Sequence, residues 1–242
     1  MNLKSKIALA ALALTAGTTA FAQVAYNVGV VSEYRYRGLS QTNGDPALQG
    51  GADYAHSSGF YAGAWATNIS WIKDSGVDGS LELDLYGGYK GTAGPVGYDV
   101  GYLRYEYVGN KYKDVSATTV NANTDEAYAA VTYGPATLKY SYAFSNLFGL
   151  ADSKGSTYID LSATFDVGGG FSLTPHVGYQ DIKGANAASP KLSYTDYALT
   201  LAKDFGAGYA GTLTYINVDH EDGAYSRAAA KDQVILGVKY SF

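Results

Sequence analysis

The chain has no cysteine in its 242 residues, and it has only three histidines, five prolines and one methionine. Without cysteine an exported, disulfide-stapled scaffold is excluded, and no residue is present for the lipid anchor of a lipoprotein. Beyond residue 22 no apolar run approaches 18 residues, which excludes a helical membrane protein. Basic residues number 17 against 22 acidic ones, a formal net charge of −5. They form no basic stripe, so nucleic acid is not an expected partner. Catalytic parts are scarce as well. Of His56, His176 and His220 only His176 falls in a strand-like segment, and no serine motif accompanies it, which argues against a hydrolase of the Ser–His type. Asp74, Asp78 and Glu82, and likewise Asp219, Glu221 and Asp222, lack the ligand spacing of a calcium loop and read as solvated loops. Gly168-Gly169-Gly170 leads into a strand and not a helix, so it is a turn and not a phosphate cradle.

What the chain does have is 24 tyrosines and 30 glycines, a balance suited to β-structure with aromatic belts and tight turns. Its first residues have the form of a secretory signal peptide. Lys4 and Lys6 make a basic start, residues 7–16 are apolar but too short to span a bilayer, and Ala20-Phe21-Ala22 is a small-x-small cleavage site. The expected organisation is a signal peptide at 1–22 and one β-barrel domain at 23–242. Cleavage would leave 220 residues and, with two lysines fewer, a net charge of −7. The mean hydropathy of −0.11 decides nothing, because a barrel with a polar interior averages to such a value.

The chain ends on strict alternation. Val234, Leu236, Val238, Tyr240 and Phe242 share one face, and Gln233, Ile235, Gly237, Lys239 and Ser241 the other. Period two is the strand signal, and a closing strand with terminal aromatics suits the interface of an outer-membrane barrel. Tyr240 and Phe242 are the expected terminal signal for the barrel-assembly machinery. Twelve such segments are predicted. The first spans residues 24–37, with Tyr26, Val28, Val30, Tyr34 and Tyr36 facing lipid. The third spans 60–71, with Tyr61, Trp65, Ile69 and Trp71 set against Ala62, Ala64 and Ala66. The fourth is the cleanest, setting Leu81, Leu83 and Leu85 against Glu82, Asp84 and Tyr86. In the fifth the alternation slips near Leu103 and puts Arg104 and Glu106 on the apolar side. Either a bulge or departure of the strand from the membrane resolves that conflict. Long loops follow every odd segment and short turns every even one, the sorting of an outer-membrane barrel. The fold class is therefore all-β: an antiparallel up-and-down transmembrane β-barrel of about 12 strands, preceded by a cleaved signal peptide, with both termini periplasmic.

Four stretches carry a family resemblance: Tyr34-Arg-Tyr-Arg-Gly-Leu-Ser-Gln41, Pro46-Ala-Leu-Gln-Gly50, Gly59-Phe-Tyr-Ala-Gly-Ala-Trp65 and Glu82-Leu-Asp-Leu-Tyr-Gly-Gly-Tyr89. The chain resembles the TorF-like porin family of proteobacterial outer-membrane proteins, most specifically in its Arg-x-Arg-Gly segment. The resemblance implies an outer-membrane barrel with a channel role, and it supplies no catalytic residue and no solute.

The face opposite the apolar one collects Glu33, Arg35, Arg37, Asp53, Glu82, Asp84, Asp99, Lys139, Asp160, His176, Asp196 and Lys239, together with Asp166. These are the expected pore-lining residues, since Arg or Lys facing lipid at mid-membrane costs about 2–4 kcal/mol. Their excess of carboxylates implies a mild cation preference. The competing expectation is that Arg35 and Arg37 pair with Glu33, Glu82 and Asp84 and fill a narrow interior. Twelve strands lie between the 8 that leave no pore and the 16–18 that do. The function expected is passive diffusion of small hydrophilic solutes or ions, without cofactor, with any gating from the loop at 108–124. The alternative is a non-conducting barrel whose loops bind lipopolysaccharide or a surface partner.

Overall fold

The computed structural model describes residues 23–184 and 191–242. The expected signal peptide, and part of the loop expected at 181–193, lie outside the described residues. The main sheet is built from β1 (Gln23–Val31), β4 (Ala47–Ala55), β5 (Phe60–Asn68), β6 (Leu81–Ala93), β7 (Val96–Tyr107), β8 (Thr124–Tyr133) and β9 (Ala136–Ala143). It continues through β10 (Thr157–Ala163), β11 (Phe165–Gly168), β12 (Phe171–Asp181), β13 (Tyr194–Gly206), β14 (Tyr209–Asp219) and β15 (Gln233–Ser241). β10 and β11 are one barrel strand interrupted at Thr164, and both pair with β12. A short hairpin, β2 (Arg35–Tyr36) with β3 (Leu39–Ser40), stands apart. Each barrel strand pairs antiparallel with its sequence neighbour. β1 closes on β15 through Val28↔Tyr240 and Val30↔Val238, so the barrel has twelve strands and no free edge. Closure pairs the backbone groups, which a hydrocarbon setting demands.

Alternation sorts the side chains. Outward Leu236 and Phe60 are 60% and 62% exposed, whereas inward Glu82 and Gln180 are each 1% exposed. An apolar exterior around a polar interior inverts the soluble pattern and is what lipid requires. Cross-strand threonine pairs bind inside the wall, Thr132 to Thr137 at 2.9 Å and Thr200 to Thr214 at 3.0 Å. Near the chain ends an aromatic group gathers. Tyr26 stacks on Phe242 at 5.7 Å and Tyr209 on Tyr240 at 4.6 Å.

Two expectations are corrected, and a third is decided between its alternatives. The first strand stops at Val31, not at residue 37, and Tyr34 is buried inside the barrel instead of facing lipid. The third stops at Asn68, and its faces are reversed. Tyr61 and Trp65 point inward, where Tyr61 donates to Asp99 at 2.6 Å and Trp65 packs edge-on against Tyr34. The large rings fill the interior, and the small alanines opposite them are tolerated by lipid. Ile69 is buried, and both Ile69 and Trp71 belong to an apolar cluster with Ile72, Tyr107 and Ala122 that caps one end of the barrel. In β7 there is no bulge: the register with β6 is unbroken from Ala93↔Val96 to Glu82↔Tyr107. Arg104 and Glu106 stay on the outer face at the rim, where Arg104 pairs with Glu106 at 2.7 Å and with Asp125 at 3.0 Å.

Candidate functional site: a hairpin inserted in the barrel

Past Val31 the chain leaves the wall. The Ser32 amide donates to the Leu236 carbonyl at 2.8 Å, and the Ser32 hydroxyl accepts from the Leu236 amide at 3.0 Å. The next residues turn inward as the β2–β3 hairpin. Its two-residue turn is Arg37-Gly38, with φ of 46° and 81°. Both are left-handed, the type I′ geometry that matches strand twist in a tight hairpin. Glycine adopts this freely and arginine does not, so Arg37 is held there by its contacts.

Those contacts reach the stretch of wall from β8 to β12. The Arg37 guanidinium donates from Nη1 and Nη2 to the two carboxylate oxygens of Glu126 on β8, at 3.0 and 2.7 Å. Nη1 also donates to Gln180 Oε1 on β12 at 2.8 Å. Its Cζ lies 4.3 Å from the Tyr158 ring centroid and 4.9 Å from that of Tyr36. A bidentate guanidinium–carboxylate pair is strong and directional. Burial works against the Arg37 charge, and Glu126 more than offsets it, leaving the side chain's pKa above its ordinary value. Tyr34 donates to Glu82 on β6 at 3.0 Å, and Tyr36 shares a hydroxyl contact with Tyr105 on β7. Arg35 donates to the Gly38 carbonyl at 2.9 Å and lies 3.2 Å from Glu33. The hairpin thus touches β6, β7, β8, β12 and the wall at its tip.

At that tip a Cβ on Gly38 would sit 2.7 Å from both Asp196 Cβ and Val218 Cγ2. Gly38→Ala is expected to loosen the docked hairpin, from this clash and from a left-handed strain of about 1–2 kcal/mol. The check is trypsin cleavage between Arg37 and Gly38, slow in the parent and faster in the variant.

The expected interior residues fall into groups. Arg35 pairs with Glu33 as anticipated, but Arg37 pairs with Glu126 and not with Glu82 or Asp84. His176 lies between two carboxylates, with Nε2 2.5 Å from Asp160 and Nδ1 3.6 Å from Asp196. The Tyr158 hydroxyl lies 3.2 Å from His176 Nε2 and donates to Asp196 at 2.9 Å. Deeper in the barrel, away from the hairpin, Asp53 accepts from Tyr86 at 2.5 Å and Asp99 from Tyr61. The Lys139 ammonium sits 4.1 Å from the Tyr128 ring centroid. Lys239 stands on the opposite wall beside a small cavity lined by Asn27, Gly29, Gln49, Trp65 and Thr212. Asp166, by contrast, is exposed and caps the turn at Gly168. The segment that enters the barrel is residues 32–46; the loop expected to do so contributes Tyr112 and Ala122 to the cap.

Sequence reading missed Glu126, Gln180, Tyr105 and Tyr158. Alternation could have found Glu126, which stands in phase with Tyr128. Nothing local marked it as the partner of an arginine 89 positions away.

A family model described as "Bacterial protein of unknown function (Gcw_chp)" matches residues 15–242. No curated protein matches the chain. Among solved structures, the NanC porin aligns with a TM-score of 0.60 at 11% identity, over 91% of this chain and 99% of that one. The KdgM porin, solved also in complex with disordered oligogalacturonate, aligns at 0.54 and 9% identity, over 90% and 98%. The COG4313 outer membrane channel from Pseudomonas putida F1 aligns at 0.53 and 14%, over 93% and 96%. At these identities the likeness is one of fold.

Proposed function

The chain belongs to the Gcw_chp family of bacterial proteins of unknown function, and from that premise we propose that it is a gated outer-membrane channel for small hydrophilic solutes or ions. The observation that carries this reading is the inserted hairpin, pinned by ionic and hydrogen-bonded contacts above a polar, charge-lined barrel interior. A plug held by polar contacts can be released and re-docked, whereas an apolar core would seal the barrel permanently. The porin-like fold and the likeness of the Arg-x-Arg-Gly segment to TorF-like porins support the same reading. So does KdgM, solved in complex with a polar saccharide, disordered oligogalacturonate. The short turns and both termini face the periplasm on this reading. Tyr240 and Phe242 then serve the barrel-assembly machinery, and lipopolysaccharide surrounds the outer rim.

The path below the hairpin is lined by Asp53, Asp99, Lys139 and Lys239, with Asp160, His176 and Asp196 beside its tip. Carboxylates predominate, which supports weak cation preference. An enzymatic role lacks support: the polar partners of His176 are Asp160, Asp196 and Tyr158, with no serine among them.

A second reading is favoured by the apolar cap around Ile72, Tyr105 and Tyr107, which closes over the hairpin. It is a non-conducting barrel whose outer loops bind a surface partner or lipopolysaccharide. Planar-bilayer recording separates the two. The parent protein is expected to give infrequent stepwise openings, and a variant lacking residues 35–40 long-lived ones. Silence from both selects the binding barrel. In the conducting variant, Lys239→Glu is expected to shift the reversal potential toward higher cation selectivity; an unmoved potential removes Lys239 from the path.

A further inference from the structure

Glu82 and Asp84 stand two residues apart on the inner face of β6, about 6.7 Å along the strand. They are set between Thr67 and Trp65 of β5 and Tyr107 and Tyr105 of β7. Tyr34 of the hairpin arm closes over them, donating to Glu82 Oε1 and packing edge-on against Trp65 at 5.5 Å. Tyr34, Tyr105 and Tyr107 belong to the buried apolar cluster, and Trp65 packs against it. Two oxygens inside this enclosure, Glu82 Oε2 and Asp84 Oδ1, are shut off from solvent and have no hydrogen-bond partner.

A buried carboxylate needs a compensating charge or a proton. The nearby fixed cation, Arg37, has both its terminal nitrogens committed to Glu126. The other ion-paired bases nearby on the chain are engaged elsewhere: Arg35 with Glu33 at 3.2 Å, Arg104 with Glu106 and Asp125 on the outer face, and Lys111 with Asp78 at 2.9 Å. When both are ionised, Glu82 and Asp84 have no ion-pair partner among the described residues.

We infer that Glu82 and Asp84 hold a hard, oxygen-seeking divalent cation of the calcium class in the wall behind the inserted hairpin. An ion at about 2.4 Å from an oxygen of each side chain would join the two carboxylates. Among the described residues no three His, Cys, Asp or Glu side chains converge on one point. The remaining ligands are accordingly hydroxyl and water oxygens, with Thr67 the neighbouring wall hydroxyl. The ion would neutralise the pocket against which Tyr34 rests, and so steady the arm of the hairpin. This site stands whether or not the barrel conducts.

The test uses the full barrel refolded in detergent micelles, with CaCl2 or EDTA and with terbium as a luminescent probe. At roughly 100 times the dissociation constant, CaCl2 is expected to raise the parent's Tm by about 5–10 °C. Glu82→Gln combined with Asp84→Asn should abolish that rise and melt higher than the parent in EDTA. Terbium emission excited through tryptophan should appear in the parent, be quenched by CaCl2, and fall in Trp65→Phe, which leaves both carboxylates in place. A parent Tm unmoved by CaCl2 overturns the inference, as does an equal calcium response in the double variant. Stabilisation by acid alone, without a calcium effect, would show a shared proton and overturn it too. Undiminished emission from Trp65→Phe would place the ion elsewhere. Bilayer conductance of the same preparations is read separately, so failure here leaves the channel reading intact.

Discussion

Arg37→Ala is expected to free the hairpin from the barrel and turn rare openings into sustained ones. The side chain carries a bidentate bond to Glu126, a bond to Gln180 and contacts with two tyrosine rings. Arg37 and Glu126 expose only 6% and 3% of their side chains, so truncating one leaves the other as an unpaired buried charge. Breaking such a pair costs about 3–5 kcal/mol. The barrel wall is closed by its own ladders, so that cost falls on hairpin docking and not on the barrel. At about 1.4 kcal/mol per tenfold change, the undocked fraction should rise by about 10²–10³. Arg37→Met combined with Glu126→Gln removes both charges together and should restore most of the docking, since replacing a buried pair by neutral groups is often tolerated. Single-channel open probability and trypsin cleavage after Arg35, the hairpin site these variants keep, should move together across them. An open probability unchanged in Arg37→Ala would mean that the hairpin does not control the path.

The second large effect concerns which way the wall faces. Leu213→Arg places a charge on the outer surface of β14, where Leu213 is 44% exposed. At mid-membrane this costs about 2–4 kcal/mol. Thr212→Arg, one residue earlier, points inward beside the small cavity near Lys239. The first variant should fold in lower yield into vesicles and unfold at lower urea concentration than the parent. The second should fold normally. Equal destabilisation, or the reverse order, would contradict a lipid-facing exterior. The same comparison in detergent should show a smaller difference, because a micelle accommodates charge more readily than a bilayer core.

Much of this arrangement was legible from residues alone. In β6 the side chains of Leu81 and Leu85 face out and Glu82 faces in, as alternation requires. The order of long and short connections holds through the described chain. Two strands misled for physical reasons. A tyrosine on an alternating face reads the same whether its ring meets lipid or fills a lumen, so Tyr34, Tyr36 and Tyr61 were assigned outward and are inside. Arg37-Gly38 carried a turn signal only in its glycine, because arginine gives no sign of a left-handed φ. Arg104 and Glu106 had two admissible explanations, and only the depth of the rim selected one.

Local sequence thus determined what the chain could do by itself: form strands of period two, turn at glycines, and divide each strand into a greasy and a wet side. Hydration of individual side chains is a local property, and it survives whatever the neighbours are. Tertiary structure decided the rest. The barrel wall brought Glu126 and Gln180 to Arg37 from strands three places apart, and it set Glu82 and Asp84 among tyrosines with no ion-pair partner among the described residues. Electrostatic partnership depends on distance through space, and the turns that set those distances are spread over more than a hundred residues.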